Sequence, residues 1–197
     1  NGDYNRNKSP EGGEMEEASI WNETKLQVNI NNQTEENQEL EYKRSDALDK
    51  SKKTDITNDV SAMAYAYGGN IIYGIKEGSR ENEDDHIPVG LSPIDRTKYS
   101  KEWLDQIIGQ VRPKRKSGRN PVHLSTGQND YAYVVEIPQG TTAHQALDKK
   151  YHRRLNTTTY AMVNYEIVDV MNRKFQISLT ARRRIFPYFT KSGEMHV

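Results

Sequence analysis

An α+β fold, a mixed sheet flanked by helices, is predicted by two observations. Apolar residues at helical spacing, Ile56, Val60, Met63, Ala64 and Tyr67, end at Gly68-Gly69 and give way to Ile71-Ile72-Tyr73-Gly74-Ile75, where apolar residues stand at adjacent positions. A one-faced helix leading into a strand that is apolar on both faces implies a sheet covered on each side. The same pairing recurs downstream. Trp103, Leu104, Ile107, Ile108 and Val111 share one helical face, and Tyr131, Tyr133 and Val135 alternate as a strand does before Pro138.

Taken in order, residues 1–18 are polar, Gly-rich and Glu-rich without periodicity and are expected to form a flexible lead-in. Leu26, Val28 and Ile30 alternate, so Trp21 to Ile30 reads as a strand closed by Asn31-Asn32-Gln33. Glu39 to Lys43 reads as a second strand. The helix that follows has Thr54 or Asp55 available as its cap and Gly68-Gly69 as its stop. The strand Ile71 to Ile75 is expected to be central. Residues 77–95, acidic and holding Gly78, Pro88, Gly90 and Pro93, read as a long excursion. Ser100 can cap the second helix, and Pro113 stands where it must have ended. Residues 161–171 are expected to form a last helix. One domain over residues 19–173 is the expectation, with 174–197 a basic C-terminal extension and the start of a further region, since the chain begins with Asn rather than Met.

Composition narrows the function classes. A chain of 197 residues, 34% hydrophobic and 28% charged, has enough apolar surface for one core of ordinary size. It has no cysteine, which removes disulfides, thiolate zinc sites and cysteine nucleophiles together. No signal peptide or membrane span is evident, so a cytoplasmic protein is expected. The formal net charge is zero, but it is unevenly spread. The first 41 residues are acidic, and basic clusters follow at Arg112 to Arg119, Lys149 to Arg154 and Arg182 to Arg184. Lys114, Arg115, Lys116, Lys149, Lys150, Arg153 and Arg154 are candidate phosphate contacts, favoured by counterion release. The plainer reading of each cluster is a solvated loop.

The chemistry-bearing run is Glu36-Asn-Gln-Glu-Leu-Glu41-Tyr-Lys43. On a strand, Glu41 and Lys43 share a face because side chains repeat every two residues, and the apolar strand ends at a third carboxylate, Glu77. Glu35 and Glu39 offer further carboxylates to the same run. Carboxylates near a lysine point to a site for a divalent cation, Mg²⁺ or Mn²⁺, and a phosphate. The plainer reading pairs Glu41 with Lys43 in a salt bridge. Other chemistries lack their motifs. There is no P-loop sequence, the five histidines lack zinc spacing, and Ser61 has no triad partners at recognisable spacing. His144 and His152 flank a basic block and are modest candidates for nucleic-acid contact. Tyr65, Tyr67 and Tyr73 are more often core residues at such spacing than base-stacking ones.

Glu36 to Lys43, Val60 to Gly69, Ile71 to Glu77, Val135 to Pro138 with Ala143-His-Gln145, and Tyr151-His-Arg-Arg154, in that order and spacing, resemble the Schlafen/AlbA-like divergent nucleic-acid-binding family. The resemblance spans roughly Glu35 to Asn172. It implies a Schlafen/AlbA-like fold that binds nucleic acid, and it maps the carboxylate triad of the nuclease-active members onto Glu36, Glu41 and Glu77, with Lys43 beside them. The third acid here is Glu rather than Asp. RNA is slightly preferred to DNA, because those members act on structured RNA, and a homodimer is compatible. Two function classes follow: a metal-dependent endoribonuclease, or a non-catalytic DNA-binding regulatory or scaffold domain.

Overall fold

The computed structural model describes residues 21–78, 86–114 and 117–172, with two short paired strands at Tyr188–Phe189 and Met195–His196. The expected lead-in and most of the C-terminal extension lie outside the described residues. So do Arg115, Lys116, the acidic run 81–85 and the Arg182 to Arg184 cluster.

The chain opens with a helix, α1 (Glu23–Asn31), where the alternation of Leu26, Val28 and Ile30 predicted a strand. Two physical causes decide for the helix. Asn22 caps it, its side chain accepting from the Lys25 N–H at 2.9 Å. Leu26 and Ile30, four apart, both turn to the core, whereas Val28 faces solvent at 46% exposure.

Strand β1 (Leu40–Lys43) lies parallel to β2 (Gly68–Tyr73), and β2 pairs antiparallel with β7 (Asp130–Pro138). The sheet is therefore mixed, as expected, and β2 is central in it. Gly69 is required at the start of β2, with φ +130° and a backbone so close to Glu39 that any Cβ would overlap it. At Gly74, φ +105°, the chain leaves the sheet and continues as β3 (Ile75–Glu77).

Residues 77–95, expected as an excursion, contain two strands. β4 (Pro88–Leu91) pairs with β3, and the two-residue β5 (Ile94–Asp95) pairs with β7. β6 (Gly118–His123) also pairs with β7 along its full length, a strand that its position after a basic run and its internal Pro121 concealed. An edge strand tolerates proline because one side makes no ladder bonds.

Two layers cover the sheet. On one face α2 (Lys53–Tyr65) and α3 (Lys101–Ile108) bury Ile56, Val60, Met63, Leu104 and Ile107 against Ile71, Tyr73, Tyr133 and Val135. The helix α2 follows two 3-10 turns and has no side-chain cap, so neither Thr54 nor Asp55 serves as one. It ends before Tyr67, which is exposed. Ser100 caps α3 as expected, accepting from the Trp103 N–H at 3.2 Å. On the other face α1 packs Leu26 against Tyr42, Ile72, Val122 and Val134.

A hairpin, β8 (His152–Leu155) and β9 (Thr158–Ala161), turns at Asn156 and packs on α2. The basic block Tyr151 to Arg154 had hidden its alternation: His152 and Arg154 point inward, Arg153 and Leu155 outward. Residues 164–172 form the last helix, α4, as the sequence predicts, with Val170 buried beside Ala143 and Met162. No helix among the described residues is long and apolar enough to cross a membrane.

Candidate active site

The alternation of β1 separates two chemistries. Leu40 and Tyr42 join the apolar layer under α1, while Glu41 and Lys43 turn to the α2 face, opposite Ile71 and Tyr73 of β2. There they meet Glu36, which precedes β1, and Glu77, which ends β3. These four residues line one cavity of about 400 Å³ together with Asp59 of α2, His86 and Thr157 to Thr159 of the hairpin turn. The sequence-predicted carboxylates and lysine are thus brought together. Asp59 was missed; its signal was an acid on the α2 face flanking Val60, which reads as ordinary helix surface until the hairpin covers it.

Glu41 is buried and held between two cations. Lys43 Nζ lies 2.5 Å from its Oε1, and Arg154 Nη1 donates to its Oε2 at 2.5 Å. Arg154 also donates through Nη2 to the Asn37 carbonyl at 3.2 Å. Its side chain is fully buried, so Arg154 does not stand where a surface phosphate contact would. Arg153 is likewise engaged, with Glu166 at 3.0 Å and over the Tyr160 ring. Glu36 accepts from the Tyr42 N–H at 2.6 Å and lies 3.3 Å from His86 Nδ1. His86 Nε2 is 3.4 Å from Thr157 Oγ1, which ties the cavity rim to the hairpin. Asp59 accepts from Thr159 Oγ1 at 3.1 Å.

Burial, reinforced by crowded negative charge, sets the proton affinities. Burial, then repulsion from Glu36, pushes the Glu77 carboxyl up to about 7. Asp59 moves the same way through burial and the charge of Glu41. Burial also raises Glu36, although the Tyr42 N–H opposes it. Burial disfavours the charge on Lys43, but Glu41 and Asp59 outweigh it and hold the ammonium proton more tightly than usual. Four carboxylates against Lys43 and Arg154 leave the cavity electronegative.

The described basic residues divide differently from their order in sequence. Arg112 exchanges two backbone hydrogen bonds with Gln145, whose Nε2 donates to the Lys149 carbonyl at 2.9 Å. This seam brings exposed Lys114, Lys149 and Lys150 onto neighbouring segments although they are more than 30 residues apart in sequence. His144, buried, bonds the Pro113 carbonyl there at 3.0 Å through Nδ1, and buried His152 bonds Asp148 at 3.1 Å.

A search of the curated proteins finds no match. Among solved structures, the crystal structure of the DIP2311 protein from Corynebacterium diphtheriae is similar at 13% identity and a TM-score of 0.44, over 68% of this chain and 24% of that one. The match spans about a quarter of that protein's length. The profile of the family described as Schlafen, AlbA_2 matches residues 36–163, which carry β1, the acidic cavity and the β8–β9 hairpin. With more than half of its length so matched, the chain belongs to the Schlafen, AlbA_2 family.

Proposed function

We propose that this domain binds nucleic acid along its phosphate backbone and that its acidic cavity serves divalent-cation-assisted cleavage of structured RNA. The observation that carries the reading is the meeting of Glu36, Glu41 and Glu77 with Lys43 around one cavity. Family membership supports the nucleic-acid part. Exposed Lys114, Lys149 and Lys150 offer phosphate contacts on neighbouring segments.

The donor chemistry fits Mg²⁺ or Mn²⁺, hard cations that prefer carboxylate oxygens, and the raised proton affinity of Glu77, caused first by burial and then by repulsion from Glu36, is one that a bound cation would lower. Glu36, Glu41 and Glu77 are the residues that would hold it. Among the described residues no three acids or histidines already stand grouped as metal ligands, because Glu41 faces Lys43 and Arg154 while Glu36 faces the Tyr42 N–H. When bound, the cation would polarise a phosphoryl oxygen and acidify a water. Lys43, the cavity's own cation, would place its ammonium against a non-bridging phosphate oxygen. Arg154 would hold Glu41 from behind.

A second reading, a non-catalytic DNA-binding regulatory or scaffold domain, is favoured by the full engagement of Glu41 with Lys43 and Arg154. Incubation of the purified chain with transfer RNA, ribosomal RNA and single-stranded DNA in Mg²⁺ or Mn²⁺ separates the two. Cleavage of RNA that stops on Glu77→Gln supports the nuclease. Binding without cleavage, at high protein concentration and with either metal, leaves the binding module.

A further inference from the structure

The α1 face of the sheet changes character at one end. Its core rows are apolar except for Asn120 on the edge strand β6, with Tyr42, Ile72, Val134, Ala132 and Val122 packed against Leu26. The next register row is not. Leu40 pairs with Asn70, Asn70 with Glu136 and Glu136 with Gly118, so one row across four strands carries an amide, a carboxylate and a glycine. β2 and β7 are interior strands, yet Asn70 and Glu136 are half-exposed, so this end of the face is left open.

That row lies under a second cavity, of about 500 Å³, lined by Trp21, Lys25, Gly69, Asn70, Gly118, Glu136 and Pro138. It is on the opposite face of the sheet from the acidic cavity. Its parts are complementary in kind. Trp21 and Pro138 provide flat apolar walls, and Lys25 places its ammonium 4.1 Å from the Trp21 ring centroid. Asn120 Nδ2 donates to Glu136 Oε1 at 2.9 Å and fixes that carboxylate. Glu136 Oε2 rests where a side chain at position 118 would begin, since a Cβ on Gly118 would stand 2.7 Å from it. Glycine at that position keeps the second carboxylate oxygen in place.

We propose that this cleft is a binding site for a guanine nucleotide. A flat aromatic ring suits the Trp21 and Pro138 walls. A carboxylate accepts only, so it selects a base that presents two adjacent N–H donors, and among the four RNA bases guanine does so through its N1–H and exocyclic amino group. Asn70 supplies an amide to the same ligand edge, and Lys25 supplies positive charge for the phosphate. The guanine belongs either to a free nucleotide or to an unpaired residue of a nucleic acid, and the chemistry of recognition is shared. The inference is independent of the acidic cavity, which lies across the sheet.

Trp21 is the natural reporter. In a Trp103→Phe background, which leaves Trp21 as the single indole, the chain is titrated with GMP, AMP, CMP and UMP. It is titrated in parallel with an RNA hairpin carrying one unpaired loop guanine and with the same hairpin carrying adenine. Saturable fluorescence change with GMP or with the guanine hairpin, at least about tenfold tighter than with the other bases, is expected. Glu136→Gln should abolish that preference without shifting the melting temperature. Gly118→Ala, which displaces the same carboxylate, should weaken guanine binding in step. Tight GMP binding identifies a free nucleotide as the source; weak GMP binding with a tight guanine hairpin identifies a nucleic acid. Equal response to all bases, no response to any, or an unchanged preference in Glu136→Gln overturns the site. Because hairpin binding through the Lys114, Lys149 and Lys150 seam would persist in Glu136→Gln, failure here is distinguishable from failure of nucleic-acid binding itself.

Discussion

Arg154 and Glu41, 113 residues apart, form a buried ion pair at 2.5 Å that fastens the β8–β9 hairpin to β1 over the acidic cavity. Removing Arg154 leaves buried Glu41 with Lys43 alone to balance it, and removing Glu41 leaves the buried Arg154 guanidinium without its carboxylate. Arg154→Met should therefore destabilise the fold by about 3–5 kcal/mol, and Glu41→Gln with Arg154→Met together should cost less than the sum of the single changes. Urea denaturation of the four proteins in this cycle measures it. Strict additivity would mean that the pair is not coupled.

The α2 face offers a direct test of the core. Val60 is buried at 5% exposure among Ile56, Met63, Ile71 and Tyr73. Val60→Asp places an unpaired charge there and should cost several kcal/mol, about 3 or more. An unchanged melting temperature in the soluble protein would show that this face is not core.

Stability should fall as pH rises through the acid to neutral range. The Glu77 carboxyl has a folded-state pKa near 7 against an ordinary value of 4.5, and Asp59 is shifted in the same direction. Between those values the native state binds more protons than the unfolded one, so each unit of rising pH lowers the unfolding free energy. The penalty is absent below the unfolded pKa and complete above about 7. Denaturation at pH 5.5 and 7.5 should show the more acidic sample to be the more stable, by about 1–2 kcal/mol once solvent screening of the partly exposed Glu77 is allowed for. Glu77→Gln should flatten the slope, and a flat wild-type profile would remove the electrostatic strain assigned to the cavity.

Exposed Lys114, Lys149 and Lys150 should carry sequence-independent affinity. Changing all three to Gln should lower the magnitude of the salt slope by about 0.7–0.9 per lost phosphate contact and weaken binding equally across sequences. Arg154→Gln should act through stability instead, because that side chain is buried. If the triple variant binds with unaltered affinity and slope, the seam is ordinary surface.

What was legible in the sequence follows from which signals are local. The α2 periodicity and the Ser100 cap each lie within one segment and form the element expected, whereas the doubly apolar run forms a central strand only as far as Tyr73, because the positive φ of Gly74 sends Ile75 into β3. Glu36, Glu41, Lys43 and Glu77 were readable because strand alternation and a family pattern converge on them. Trp21 to Ile30 misled because Leu26, Val28 and Ile30 fit both a strand face and part of a helix, and the Asn22 cap settles it. β6 and the β8–β9 hairpin were masked by Pro121 and by basic residues, whose inward or outward aim depends on partners distant in sequence. Asp59 belongs to the cavity only because Thr159, 100 residues later, folds over it.

The catalytic reading is tested most cleanly at Glu77, not Glu41. Glu41→Gln disturbs the pair with Arg154 as well as any cation, so lost activity there would mix chemistry with folding. Among the described residues Glu77 forms no ion pair that a substitution would break, and its raised pKa means that its negative charge is already resisted. Glu77→Gln should remove Mg²⁺- or Mn²⁺-dependent cleavage of structured RNA while leaving RNA affinity equal or tighter, since one fewer carboxylate repels the phosphates. Gel-based cleavage and filter binding on the same preparation read the two quantities. Loss of both together would mark Glu77 as structural, whereas cleavage unchanged from wild type would take it out of the site and leave the cavity without the third acid that the nuclease reading requires.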